Sequence, residues 1–313
     1  MEHIRKAVER ARGDHVAGPL KPQQSQYSDS IVDTESPHPA PAAAREISLN
    51  NDHLESNRII AHDIRDFRSR SFDMLRTQIL QSMDLRSWQL IGITSATAGC
   101  GKSVVATNLA LSIARQPERA VLLVDLDLQK PQVANYLGLN CDKGILNVLA
   151  GRASLQDVLV QARIPNGQAL VLACETPTAN SSAWIASRAM DELLRVIKRD
   201  FKNWTVIFDL PPLLASDDAI SILPRLDCAA FVVGAGTTTA EEIKECNRHL
   251  ESAEVVRVIL NKSEDTSAAY YYSYARPANA QRKEQKVAKG SHKPHKPPSA
   301  KGVQRFFARS SKN

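Results

Sequence analysis

No stretch of this 313-residue chain approaches the roughly 20 consecutive apolar residues that a membrane-spanning helix needs. The N-terminus mixes charges and has no apolar core of a secretory signal, so none is expected. Cysteine is sparse: five residues, at 100, 141, 174, 228 and 246, with no C-x-x-C pair among them. That argues against a disulfide scaffold and a cysteine-held zinc, and fits reduced thiols in a cytoplasmic protein. There is no internal repeat. Negative charge is short overall, with a formal net of +6, but the imbalance is local. From Arg276 onward, eleven Lys and Arg residues face Glu284 alone, which leaves the rest of the chain mildly acidic. Basicity therefore belongs to a tail and not to the folded body.

What is present reads as one domain with unfolded flanks. Residues 2–12 can form a short helix with Ile4, Val8 and Ala11 on one side, too short to stand alone. Residues 13–45 are rich in Pro, Ala, Ser and Gln, as in a flexible linker. We expect a helix-plus-linker segment over 1–60, a nucleotide-binding domain over 61–265 and a disordered tail over 266–313. Ile64, Phe67, Phe72, Leu75, Ile79 and Leu80 predict a helix over 63–83. Strand signals at 120–127, 169–173, 205–209, 229–234 and 255–261 alternate with helical patterns, including 184–198 and 241–250. Two short helices are expected within 144–158. Alternating strands and helices predict a three-layer α/β architecture with a mostly parallel sheet.

The segment Ile91 to Ser103 opens as an apolar strand and closes as the start of a helix. The small-residue loop between them ends in Gly-Lys-Ser, which suits a phosphate cradle. Gly99 and Gly101 permit positive φ and close backbone approach. The N–H groups of Ala98, Gly99, Cys100, Gly101, Lys102, Ser103 and Val104 can then face an anion at the helix start. Lys102 can reach β- and γ-phosphates, and the Ser103 hydroxyl can ligate Mg²⁺. These features make a P-loop NTPase with ATP and Mg²⁺ the expected occupants. Ala96 stands where the full pattern has its first Gly. Cys100 is expected to fill space within the loop.

Carboxylates close two of the strands. Asp209 precedes Leu210-Pro211-Pro212 and is placed to hold the Mg²⁺ shell. Asp125 and Asp127 end another strand, with side chains expected on opposite faces. One of them would serve Mg²⁺ and the other the attacking hydroxyl. Asn261 ends the last strand, where its amide can meet an adenine edge or simply form a turn. Four of the six tyrosines, Tyr270, Tyr271, Tyr272 and Tyr274, fall within five residues. A mobile tail carrying them could present a hydroxyl in line with a γ-phosphate.

These residues resemble the bacterial tyrosine kinases of capsule and exopolysaccharide biosynthesis over roughly residues 60–275. Residues 96–103 with Asn108-Leu109-Ala110 resemble that family's Walker A motif. Residues 122–131 resemble its Walker A′ motif, and Asp209 to Pro212 its Walker B motif. Ser216-Asp217-Asp218-Ala219 and Leu260-Asn261 follow in the family's order, and residues 270–274 resemble its tyrosine cluster. The sequence departs from the family at Gln129 and after Val233, where Arg is usual, and at Cys100, where Glu is common.

The resemblance implies ATP-dependent autophosphorylation with Lys102, Asp125, Asp127 and Asp209 as catalytic residues. Ser103, Asp127 and Asp209 would hold the metal, and Tyr270, Tyr271, Tyr272 and Tyr274 would accept phosphate. It also implies a separate membrane-spanning activator of polysaccharide polymerisation. A ring of subunits would form through the helix that carries Arg70, Asp73 and Arg76, with Arg70 and Asp73 in charge-exchanged roles. The basic tail is expected to contact anionic membrane, and nucleic acid is not an expected partner. Two other readings stay open. One is a ParA/MinD-like ATPase, although Thr97 stands where those proteins carry an extra Lys. The other is a nucleotide-binding regulator that has lost transfer.

Overall fold

The computed structural model describes residues 44–251 and 253–263. The expected helix at 2–12, the tyrosine segment 270–274 and the basic tail 276–313 lie outside the described residues. Among those described, eight strands form one sheet. They are β1 (Arg45–Ser48), β2 (Leu90–Ser95), β3 (Val121–Asp125), β4 (Val160–Ile164), β5 (Gly167–Leu172), β6 (Thr205–Asp209), β7 (Cys228–Gly234) and β8 (Val255–Asn261). The order is β1-β4-β5-β3-β6-β2-β7-β8. Every pairing is parallel except the β4–β5 hairpin.

Side-chain alternation along the buried strands fills two cores. Leu122 and Val124 of β3 and Val206 and Phe208 of β6 enter one. Val121, Leu123 and Ile207 enter the other. The first core is closed by α5 (Ile145–Leu149), α6 (Leu155–Val158), α8 (Arg188–Asp200), α9 (Asp218–Ile222) and α10 (Ala240–Leu250). The second is closed by α1 (Asn51–Ser56), α2 (Ser69–Arg86), α3 (Lys102–Ala114) and α4 (Val133–Leu137). A parallel sheet covered on both faces explains why its central strands are continuous apolar runs. The short α7 (Ser181–Ile185) lies at the start of the segment expected as a single helix. Ser187 caps a new helix there by accepting from Met190 N, so that segment is two helices.

The domain begins earlier than expected. β1 pairs with β4, and Leu54, Ile59 and Ala61 are fully buried, so residues 45–60 belong to the fold and not to a linker. Asn108 of α3 ties this segment down. Its Oδ1 accepts from Ile60 N (2.8 Å) and Ala61 N (2.9 Å), and its Nδ2 donates to the carbonyls of Arg58 (3.0 Å) and Val104 (2.8 Å). The helix expected from 63 starts at Ser69 because Asp63 and Asp66 turn the chain first. Their carboxylates accept from Arg65 N and Arg68 N, each at 2.8 Å. Ile64 and Phe67 are consequently exposed and not part of the apolar face.

Asp73 faces inward. Its Oδ1 accepts from Arg76 at 3.0 Å, from Ser112 Oγ at 2.7 Å and from Arg115. Arg76 also donates to the Ser112 carbonyl at 2.9 Å. Through Oδ1, Asp73 ties α2 to α3 within one chain. Arg70 remains exposed.

Candidate nucleotide site

The strand β2 delivers the loop 96–101 to the N-terminus of α3 at the C-terminal edge of the sheet, where open α/β sheets place ligands. Gly99 and Gly101 have φ of +83° and +90°, the positive values expected of a phosphate cradle. Ala98 and Gly99 are exposed at the loop's tip, whereas Cys100 is buried among the residues beneath it. The Cys100 thiol lies 3.4 Å from Thr238 Oγ1. Burial would raise its pKa, but hydrogen bonds from Thr238 and Thr97 outweigh burial and lower it. A Cβ on Gly234 would stand 3.5 Å from Cys100 Cα, so two departures from the family pattern lie against each other.

Lys102 is the centre of the charge arrangement. Its Nζ lies 2.8 Å from Asp127 Oδ2, 3.3 Å from Asp209 Oδ1 and 3.1 Å from Ser103 Oγ. Burial opposes the charge on the ammonium, yet Asp209, Asp127 and Asp125 more than offset burial and hold its pKa above the ordinary value. Register explains the convergence: β3 and β6 are adjacent, and Asp125 pairs with Asp209 across them. Both carboxylates are fully buried. Burial pushes Asp209 up and Lys102 pulls it part-way back. Burial and the Asp209 charge raise Asp125, against the backbone N–H of Val133 that favours its ionised form.

The two aspartates of β3 divide the work differently from the expectation. The strand stops at Asp125, so Asp127 lies in the following loop and not on an opposite strand face. Asp125 Oδ2 accepts from Gln132 N and Val133 N, both at 3.0 Å, and Oδ1 accepts from Asp127 N at 3.2 Å. Both its oxygens accept backbone N–H groups that shape the loop. Asp127 is the carboxylate that faces Lys102.

Asp209 Oδ2 is buried and has no hydrogen-bond partner. It lies on the same carboxylate that Lys102 pairs with, which gives a hard-oxygen donor suited to Mg²⁺ beside Ser103. Among the described residues no group of three His, Cys, Asp or Glu side chains can hold a metal alone. Mg²⁺ does not need one, because it keeps waters and takes phosphate oxygens. The residues therefore fit that ion as Ser103, Asp209 and, through the loop, Asp127.

Ser181 and Ser182 carried no signal in the sequence, yet they meet residues that did. Gln129 donates to Ser181 Oγ (2.9 Å) and to buried Asp218 (3.3 Å). Ser182 Oγ contacts both Asp217 (2.8 Å) and Asp218 (2.7 Å). A cavity of about 490 Å³ opens beside the same loop, lined in part by Gln129, Lys130, Gln132, Asn135, Cys141 and Glu175. Asn261 reaches the phosphate loop itself: its Nδ2 donates to the Cys100 carbonyl at 2.8 Å. Tyr270, Tyr271, Tyr272 and Tyr274 lie outside the described residues.

The chain is similar to several known proteins. The tyrosine-protein kinase ptk of Acinetobacter johnsonii is 30% identical over 207 residues, covering 66% of this chain and 28% of that protein. The tyrosine-protein kinase YwqD of Bacillus subtilis is 28% identical over 243 residues, covering 74% of this chain and 96% of that protein. The chain thus spans less than a third of the Acinetobacter relative. The crystal structure of the chimerical protein CapA2B2 superposes with a TM-score of 0.61 at 26% identity, covering 71% of this chain and 94% of that one. The kinase domain of VpsO superposes with a TM-score of 0.56 at 25% identity, covering 63% and 97%. Residues 91–287 match the family described as the CobQ/CobB/MinD/ParA nucleotide binding domain, and the chain belongs to that family.

Proposed function

We propose that the protein is an ATP-dependent tyrosine autokinase that regulates exopolysaccharide or capsule polymerisation and export. The observation that carries this reading is the buried ammonium of Lys102 held between Asp127 and Asp209 at the mouth of the phosphate loop. Similarity to named tyrosine-protein kinases favours transfer to tyrosine over hydrolysis alone. In this scheme Lys102 leaves its carboxylates to meet the β- and γ-phosphates. Ser103 and Asp209 would hold Mg²⁺, which would supply positive charge against the phosphates. Asp127 takes the proton of the tyrosine hydroxyl. Asp125 acts by holding the loop that carries Asp127. The acceptors are Tyr270, Tyr271, Tyr272 and Tyr274. Replacing all four with Phe removes most phosphotyrosine formed with Mg-ATP and leaves ATP affinity unchanged. Phosphate mapped mainly to Tyr27 or Tyr136 rejects the assignment.

Partners follow from the same reading. Among the described residues no helix is long and apolar enough to cross a membrane. A cytoplasmic kinase of this kind would be recruited by a separate membrane-spanning activator. Subunits would assemble into a ring in which exposed Arg70, and not Asp73, supplies charge from α2. The mass of Arg70→Asp in solution tests this: a parent oligomer left intact by the change excludes that contact. The tail 276–313 would bind anionic lipid, each basic residue near the surface adding about 1 kcal/mol. Sedimentation with anionic vesicles should deplete the full chain and spare a chain ending at 275; equal binding rejects the tail's role.

A further inference from the structure

The Cys100–Gly101 peptide is held from outside the phosphate loop. Asn261 closes β8 and its Nδ2 lies 2.8 Å from the Cys100 carbonyl. A carbonyl only accepts, so it is the amide nitrogen that faces it. The Asn261 main chain is itself anchored, since its carbonyl accepts from Ala235 N at 2.8 Å and the residue pairs with Gly234 of β7. The approach is close: a Cβ on Gly101 would stand 2.3 Å from Asn261 Nδ2. Gly101 thus meets two needs, a φ of +90° and passage for a side chain from another strand.

In a planar trans peptide the C=O and N–H point in opposite directions. Fixing the Cys100 carbonyl therefore fixes the direction of the Gly101 N–H. Gly101 is the N-cap of α3, beside the free N–H groups that meet an anion at the helix start. We propose that Asn261 is a positioning residue for polyphosphate, turning the Gly101 N–H toward the phosphates and not reading the base. This rests on the phosphate-binding reading of residues 96–103.

The test compares calorimetric affinities for Mg-ATP and for Mg-tripolyphosphate, which has no base or ribose. The proteins are the parent, Asn261→Ala, Asn261→Asp and Lys102→Ala, with thermal unfolding as the folding control. Asn261→Ala is expected to weaken both ligands by the same factor, about tenfold for one lost hydrogen bond. Asn261→Asp keeps the side-chain volume but cannot donate when ionised, so it weakens both at least as much, and it serves if the alanine variant fails to fold. Loss of ATP affinity with tripolyphosphate unchanged would mean a base contact and overturns the proposal. So would unchanged affinity for both, or a parent that binds Mg-ATP but not Mg-tripolyphosphate. If Lys102→Ala binds both ligands like the parent, the phosphate-loop reading itself has failed.

Discussion

Lys102→Ala loses phosphate transfer by about a thousandfold, the scale set by removing a charge that stabilises the transition state. Lys102→Met, which keeps most of the stem volume, gives the same loss. The substitution also leaves Asp125, Asp127 and Asp209 without their shared cation. Asp125 and Asp209, already pushed up by burial, then rise further, and the sign of the stability effect follows. A carboxyl whose folded pKa lies above its ordinary 3.8 contributes stability that is complete below that value. The contribution is lost as pH rises through the folded pKa. The deficit in melting temperature of Lys102→Ala against the parent should therefore shrink as pH falls from about 8 toward 5. Transfer at the parental rate, or a deficit that grows on acidification, contradicts this role for the ammonium.

Asp73→Ala should be among the most destabilising single changes outside the sheet. The carboxylate serves both Arg76 and Arg115, and the Arg115 side chain is only 5% exposed. Arg115 Nε and Nη1 and Arg76 Nε already have no hydrogen-bond partner. Removing Asp73 leaves a buried guanidinium without its anion, which costs about 3–5 kcal/mol. For a domain of this size that lowers the melting temperature by ~10 °C. The double change Asp73→Ala with Arg115→Met removes the stranded charge and should recover much of the loss. A single-variant shift below about 1 kcal/mol would mean that solvent satisfies Arg115 and that the network does not lock α2 to α3. The same network makes Asp73→Arg unsuitable as an assembly probe, because it would disrupt the fold before it tested an interface.

Legibility in the sequence followed burial. The strands β3, β6 and β7 were readable because each is a nearly continuous apolar run between turn signals, whereas β8 is interrupted by Arg257 and leaves Val258 and Leu260 exposed. The strand β1 is Arg-Glu-Ile-Ser at a sheet edge and carries no such run. Its membership depends on pairing with β4, which no local pattern records. Ile64 and Phe67 fit helical spacing ahead of α2, whereas the Asp63 and Asp66 turns that delay the helix to Ser69 leave no hydrophobic signature. At the site, Lys102, Ser103 and Asp209 were legible from motif chemistry. The difference between Asp125 and Asp127 was not. Period-two alternation placed them on opposite faces, but the strand ends at Asp125 and the loop turns Asp127 toward Lys102. The inward turn of Asp73 was likewise hidden, since its partner Arg115 lies 42 positions away.

The most direct test of the kinase reading follows the γ-phosphate of labelled ATP after incubation of the purified full-length protein with Mg²⁺. The account predicts stable label on the protein, recovered as phosphotyrosine from the segment holding Tyr270 to Tyr274. That label should disappear in Lys102→Ala and in the four-Phe variant. Label released entirely as free phosphate, with no phosphotyrosine on the parent chain, would contradict it and point to an ATPase.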